Sequence, residues 1–151
     1  MVFARALSAA LATCLLNLLP VSFAQADTTD VGDFTVHYLA VNSTFLEPDI
    51  AAAYNIERAS RRGFVNVAVL RDAPDGGLGT PVTAKITGAR ANLMQQSSNL
   101  DFQEVREGEA IYYLAQFDFS NAETLRFTIE VQPEGEERTH SLTWTTQLYA
   151  D

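Results

Sequence analysis

The chain reads as all-β, an immunoglobulin-like antiparallel β-sandwich of about seven strands with one short helix between the first two strands. Three observations predict this. Beyond residue 30, most segments alternate apolar and polar side chains with period two, as strands covered on one face do. Short clusters such as Asp72-Ala73-Pro74-Asp75-Gly76-Gly77 and Pro133-Glu134-Gly135 separate those segments, and their composition is turn chemistry. Helical spacing occurs in one stretch, opened by Pro48. Short strands joined by turns bury their apolar faces most economically by stacking two sheets. Trp144 does not mark an antibody-type domain, because the cysteine pair that accompanies such a tryptophan is missing.

The first strand, over 33–41, follows a polar lead-in. Phe34, Val36, Tyr38 and Ala40 alternate with Thr35, His37, Leu39 and Val41; the second set is partly apolar too, which predicts cover on both faces and not an edge position. A polar knuckle follows, Asn42-Ser43-Thr44-Phe45-Leu46. Pro48 suits the first turn of a helix, where its missing N–H leaves nothing unpaired. Ile50, Ala53 and Tyr54 share one helical face, predicted to cap an end of the core, and Asn55 can take the left-handed conformation that stops a helix.

Arg58, Arg61, Arg62 and Gly63 make a basic turn into a second strand, with Val65, Val67 and Val69 on one side. A third strand runs through Val82, Ala84 and Ile86 and stops at Gly88; the polar stretch 91–99 is a loop or a frayed edge strand. Leu100 and Phe102 keep period two, and Val105 breaks the phase, as a β-bulge would. Glu107-Gly108-Glu109 turns into the most apolar strand, Ile111, Tyr113, Ala115, Phe117 and Phe119, which is expected to be central. Leu125, Phe127, Ile129 and Val131 form the next inward face, and His140, Leu142, Trp144, Thr146 and Leu148 the last.

Residues 1–26 are read as a cleaved secretory signal peptide. Arg5 precedes an apolar run over 6–19, Pro20 breaks it, and Ala24-Gln25-Ala26 is a small-residue cleavage site. The run is short of the roughly 20 residues that span a bilayer, so no membrane span is expected after cleavage at Ala26. Cys14 sits in mid-run, which favours discard with the leader over lipidation. The remaining 27–151 has one domain's length and no cysteine, which excludes disulfides, thiolate catalysis and cysteine-ligated metal. Without Arg5, nine cationic side chains face nineteen carboxylates, a net charge of −10. Such acidity repels phosphate backbones, so nucleic acid is not an expected partner, and it also serves solubility.

The candidate chemistries are few. His37 and His140 are the only imidazoles and lack the spacing of a metal pair, so no metal and no cofactor is expected. Ser43 with His37 would supply a nucleophile and base for a hydrolase-type enzyme using the Asn42-Ser43-Thr44 knuckle, but no nucleophile elbow surrounds Ser43. The competing reading has these side chains bonding their own backbone at the bend. Asp72 and Asp75 lack calcium-loop spacing, and Glu104, Glu107 and Glu109 suit a charged edge that discourages strand addition. Arg58, Arg61 and Arg62 lie within five positions in an otherwise acidic domain, beside Tyr54. Arginines there would bind a carboxylate or phosphate, unless they pair with Glu47, Asp49 or Glu57. Tyr112, Tyr113, Phe117 and Phe119 suggest a carrier for a small apolar ligand, although core packing explains them more simply.

A group of motifs also resembles a known family: His37-Tyr38, the run 42–46, Pro48, Ala51, Tyr54-Asn55-Ile56, Arg58, Asn66-Val67, Pro81-Val82-Thr83-Ala84-Lys85, the run 106–113 and Glu123-Thr124-Leu125-Arg126-Phe127. Together they resemble the exported Gram-negative proteins known as domain of unknown function 4426, and Gln147-Leu148-Tyr149 is similar to that family's ending. The resemblance covers essentially all of 27–151. It implies an exported single β-domain, with no catalytic residues to carry over.

The expectation is therefore a periplasmic, non-enzymatic binding or protein-interaction module. Its partner would be an envelope protein or peptide, or a small anionic ligand. The contact residues expected are Asn42, Ser43, Thr44, Tyr54, Arg58, Arg61 and Arg62, and addition of a peptide to an exposed strand edge is one concrete mechanism.

Overall fold

Two antiparallel sheets face each other in the computed structural model, which describes residues 26–151. The expected leader, Cys14 included, lies outside the described residues apart from Ala26. The first sheet contains β1 (Asp27–Val31), β2 (Phe34–Asn42), β3 (Arg62–Arg71), β7 (Gln103–Glu107) and β8 (Ala110–Asp118), in the order β1-β2-β3-β8-β7, and the two-residue β4 (Thr80–Pro81) pairs with β3. The second contains β5 (Ala84–Asn92), β6 (Ser97–Leu100), β9 (Glu123–Pro133) and β10 (His140–Leu148), in the order β10-β9-β5-β6. A 3-10 turn, Ser43–Phe45, and the helix α1 (Pro48–Ala53) separate β2 from β3.

Period-two alternation places the core as expected. Val36, Val65, Val67, Val69, Ala115 and Phe117 of the first sheet meet Leu125, Phe127, Ile129, Val131 and Leu142 of the second. Each fully buried aliphatic or aromatic side chain contributes about 1.5–3 kcal/mol relative to exposure. An aromatic line crosses the interior: Phe117 meets Phe127 edge-on at 5.0 Å, Phe127 stacks on Trp144 at 5.1 Å, and Trp144 touches Tyr38 at 4.6 Å. Gly63 makes room for this packing, since a Cβ there would lie 2.6 Å from the Phe117 ring.

The described residues form ten strands where the sequence suggests about seven. The polar lead-in is itself a strand, because β1 needs only the β2 edge to pair with and turns little of its surface inward. The third strand does not stop at Gly88 but runs through it to Asn92. Glycine serves there for close approach: a Cβ would sit 2.7 Å from Ile129 Cγ2 and 2.8 Å from the Thr128 carbonyl oxygen. The phase break before Val105 is not a bulge. Leu100 and Phe102 pack with the core between the sheets, whereas Val105 pairs with Tyr112 on the outer face of the first sheet, where the helical excursion gives an apolar side chain cover. The most apolar strand, β8, lies inside its sheet between β3 and β7, and β3 holds the middle position.

The helix departs from expectation in its buried face. Ile50 is exposed and Ala53 is exposed, whereas Ala51 and Ile56 are buried against Phe64 and Leu114. Phe64 and Leu114 point away from the main core, so α1 covers the outer face of the first sheet and does not plug an end of the sandwich. The small Ala51 lets the helix approach that face closely. Pro48 occupies the first turn, and Asn55 adopts φ 54°, the left-handed stop the sequence suggests.

Candidate groove at the edge of the sandwich

The end of β2 and the end of β10 meet across a concavity of about 730 Å³. Residues 40–42, Thr44 and Phe45 form one wall, residues 146–149 the other, and Asp151 joins the lining. Among the described residues, both walls are strand edges lacking a partner on the groove side. The described β1–β2 register ends at Asp27 opposite Tyr38, so residues 39–42 pair, among the described residues, only with β3. Among the described residues, β10 pairs only with β9 along its whole length.

The knuckle shapes the groove. Ser43 is fully buried; its Oγ accepts from the Ala59 N–H at 3.0 Å and donates to the Ala59 carbonyl at 3.3 Å, closing the excursion between β2 and β3. Asn42 Nδ2 donates to the Tyr149 carbonyl at 2.7 Å and to Asp151 Oδ2 at 3.3 Å, and Thr44 Oγ1 donates to the same oxygen. These bonds hold the Asp151 carboxyl below the usual carboxylate range, the Thr44 bond first and the Asn42 bond second. Phe45 and Tyr149 stand at the groove with 56% and 58% of their surface exposed.

Of the expected contact residues, the structure brings Asn42, Ser43, Thr44 and Arg58 together and sets Tyr54 and Arg62 apart from them. Asn42 and Thr44 line the groove, and Ser43 supports it from beneath. Tyr54 lies toward the opposite edge, its hydroxyl donating to Glu107; that bond, with burial behind it, pushes the phenol up to about 12. Arg62 is spent on two carboxylates, Asp118 Oδ1 at 3.0 Å and Glu57. Its pKa is raised, by the Asp118 bond first. Arg58 donates to the Thr44 carbonyl at 3.2 Å. Arg61 is exposed, with no ion pair found for it among the described residues. The basic turn is thus dispersed into separate contacts.

Ser43 and His37 are not brought together either. Six positions of extended strand separate them, about 20 Å at the usual rise, and the Ser43 hydroxyl is committed to Ala59. His37 lines a separate concavity with Thr35 and Asp72, and His140 Nε2 meets Glu136 at 3.2 Å. Among the described residues, no three His, Cys, Asp or Glu side chains converge as a metal site would require. Of the aromatics proposed to line a carrier's cavity, Tyr113, Phe117 and Phe119 are packed in the core, whereas Tyr112 lies on the outer face beneath the helical excursion.

Sequence reasoning missed Phe45, Tyr149, Asp151 and the whole edge of β10. One signal was available: residues 139–150 carry no Asp, Glu, Lys or Arg in a chain that is 19% charged. A run of that length is unusual for a strand left at an edge.

A solved structure of a DUF4426 family protein from Pseudomonas aeruginosa PAO1 is 36% identical, with a TM-score of 0.74, covering 85% of this chain and 98% of that one. FetP of uropathogenic Escherichia coli strain F11, recombinantly expressed in the periplasm of Escherichia coli BL21(DE3), shares the fold at a TM-score of 0.59 and 8% identity, over 83% of this chain and 95% of its own. A copper-bound FetP variant matches at 0.57 and 8%, over 83% and 90%. No curated protein matches. No described helix is long and apolar enough to cross a membrane. The model of the family described as domain of unknown function, DUF4426, matches residues 28–151, and the chain belongs to that family.

Proposed function

We propose that the protein is a periplasmic, non-enzymatic interaction module that takes up an extended segment of an envelope protein in the groove between β2 and β10. One observation carries this reading: two strand edges without a backbone partner among the described residues face the same groove. A strand laid there completes hydrogen bonds that β2 or β10 leaves to water, as in β-strand addition. The signal peptide, with cleavage after Ala26, delivers 27–151 as a single domain to that compartment.

The wiring is immunoglobulin-like on this reading. With β2, β3, β7 and β8 taken as A, B, D and E, and β5, β6, β9 and β10 as C, C′, F and G, the sheets become ABED and GFCC′. Copper belongs to the FetP variant that holds it, because a likeness at 8% identity extends to the fold alone. The anionic-ligand reading is the weaker one, since Arg62 and Arg58 already serve the protein's own acceptors.

The test pairs two variants in affinity capture from the periplasm. Thr143→Lys with Thr145→Lys places charge along β10, a device that blocks strand addition. The Arg58→Ala, Arg61→Ala, Arg62→Ala variant removes the basic turn. A partner lost with the first and kept with the second supports the groove. A partner lost only with the second returns the site to the arginines.

A further inference from the structure

The groove has a chemistry of its own beyond its two open edges, and it bears on what the incoming segment must carry. Asp151 is the one charged side chain in its lining. Its Oδ2 takes both bonds from Asn42 and Thr44, and no bond to its Oδ1 occurs among the described residues. A carboxylate pinned by two donors keeps its charge and its place, and its second oxygen still has acceptor capacity for an arriving donor. Phe45 and Tyr149, both more than half exposed, line the same groove. Aromatic faces beside a fixed carboxylate suit a cation, which gains from the ring quadrupole as well as from the anion. The charge of the whole domain, −10 without the leader, draws cations toward it and repels acidic segments.

We infer that the groove selects an extended segment bearing a lysine or arginine, whose cationic head sits against Asp151 between Phe45 and Tyr149. This rests on the strand-addition reading above and adds the identity of one side chain to it. Backbone pairing then supplies sequence-independent affinity, and the cation sets register and partner choice. Nothing in the pairing of backbones alone distinguishes one register from the next two residues along, whereas a single fixed carboxylate does.

The test uses capped, fluorescently labelled decapeptides of alternating threonine and valine, each with one lysine, scanned through every position. A matched set carries norleucine in place of lysine, which keeps the aliphatic stem and removes the charge. Binding is measured by fluorescence polarisation against the protein without its leader, and against an Asp151→Asn variant, whose side chain can still accept from Thr44. The best lysine peptide is expected to bind at least tenfold more tightly than its norleucine counterpart. That preference should shrink at high salt and disappear in Asp151→Asn. Equal binding of the two sets overturns the cation while leaving the groove in place. Binding by neither set overturns strand addition, and the cation with it. A lysine preference that survives Asp151→Asn assigns the selectivity to the general acidity of the domain and overturns the role of Asp151.

Discussion

β7 and β10 close opposite sides of the sandwich, and they are built by different rules. β7 has five residues, three of them charged, with Arg106 bonded to Glu104 at 2.6 Å along the strand. β10 has nine, with no Asp, Glu, Lys, Arg or Pro among them, and its outward side chains are Ser141, Thr143, Thr145 and Gln147. An edge strand is a template for another chain, and natural proteins blunt it with charge, brevity or proline. β7 has the first two of these protections. β10 has none, although the chain supplies charge freely elsewhere, and it adjoins a groove whose other wall, among the described residues, is a second open edge. The contrast teaches that the two edge strands differ in protection: β7 is short and charged, and β10 is neither.

The largest effect that sharpens the contrast concerns what holds each edge in place. Leu142 of β10 is buried in the core, whereas Val105 of β7 is only partly buried on the outer cluster. Leu142→Ala is expected to cost about 2–5 kcal/mol, as core truncations do, and Val105→Ala clearly less. Urea unfolding of the two variants measures this, and equal costs would mean that β10 is not anchored through its inward face.

An exchange of edge character is next in size. Giving β10 charge with Thr143→Lys and Thr145→Lys should change stability by no more than about 0.5 kcal/mol per site, yet weaken peptide binding tenfold or more. Removing charge from β7 with Glu104→Thr and Arg106→Thr should promote self-association at high protein concentration, read by analytical ultracentrifugation. A β7 variant that stays monomeric would show that its charges do not protect that edge.

The smallest effect is the pH response of the groove. Asp151 is held below the ordinary carboxylate range by Thr44 and Asn42. A depressed carboxylate fastens the C-terminal residues at pH values above its unfolded pKa of about 3.9. The fastening is lost as pH falls through the lower folded value. The Asn42 side-chain amide and the Thr44 amide should therefore shift together in an NMR titration with a midpoint below about 3.9, and Asp151→Asn should remove the transition. A midpoint at or above the ordinary value would mean that those bonds do not form in solution.

Much of this architecture was legible in the sequence, and the gaps have physical causes. Alternation located the inward faces of β2, β3, β8, β9 and β10 because burial on one face imposes period two on any strand. It passed over β1, whose only demand is one partner edge, and it misread Gly88 as a stop because a glycine needed for close approach looks the same as one needed for a turn. Val105 looked like a bulge, since an apolar residue facing a covered outer side is out of phase with the core-facing ones just as a bulged residue is. For the site, Asn42 and Thr44 were found as polar residues at a bend. The arginines attracted attention by their spacing along the chain, but spacing says nothing about Asp118, 56 positions away, which takes up Arg62. Phe45, Tyr149 and Asp151 become a site only when residues more than a hundred positions apart are brought together, as Asn42 and Asp151 are.

The most direct measurement is site-specific photocrosslinking in the periplasm, with the reactive residue placed in turn at Thr143, Thr145 and Gln147 of β10 and at Glu104 and Arg106 of β7. Strand addition at β10 is expected to give crosslinks from its three positions to one contiguous partner segment, stepping two partner residues for each two along β10, with none from β7. Crosslinks from β7 alone, scattered partner sites without that step, or none from β10 would contradict it.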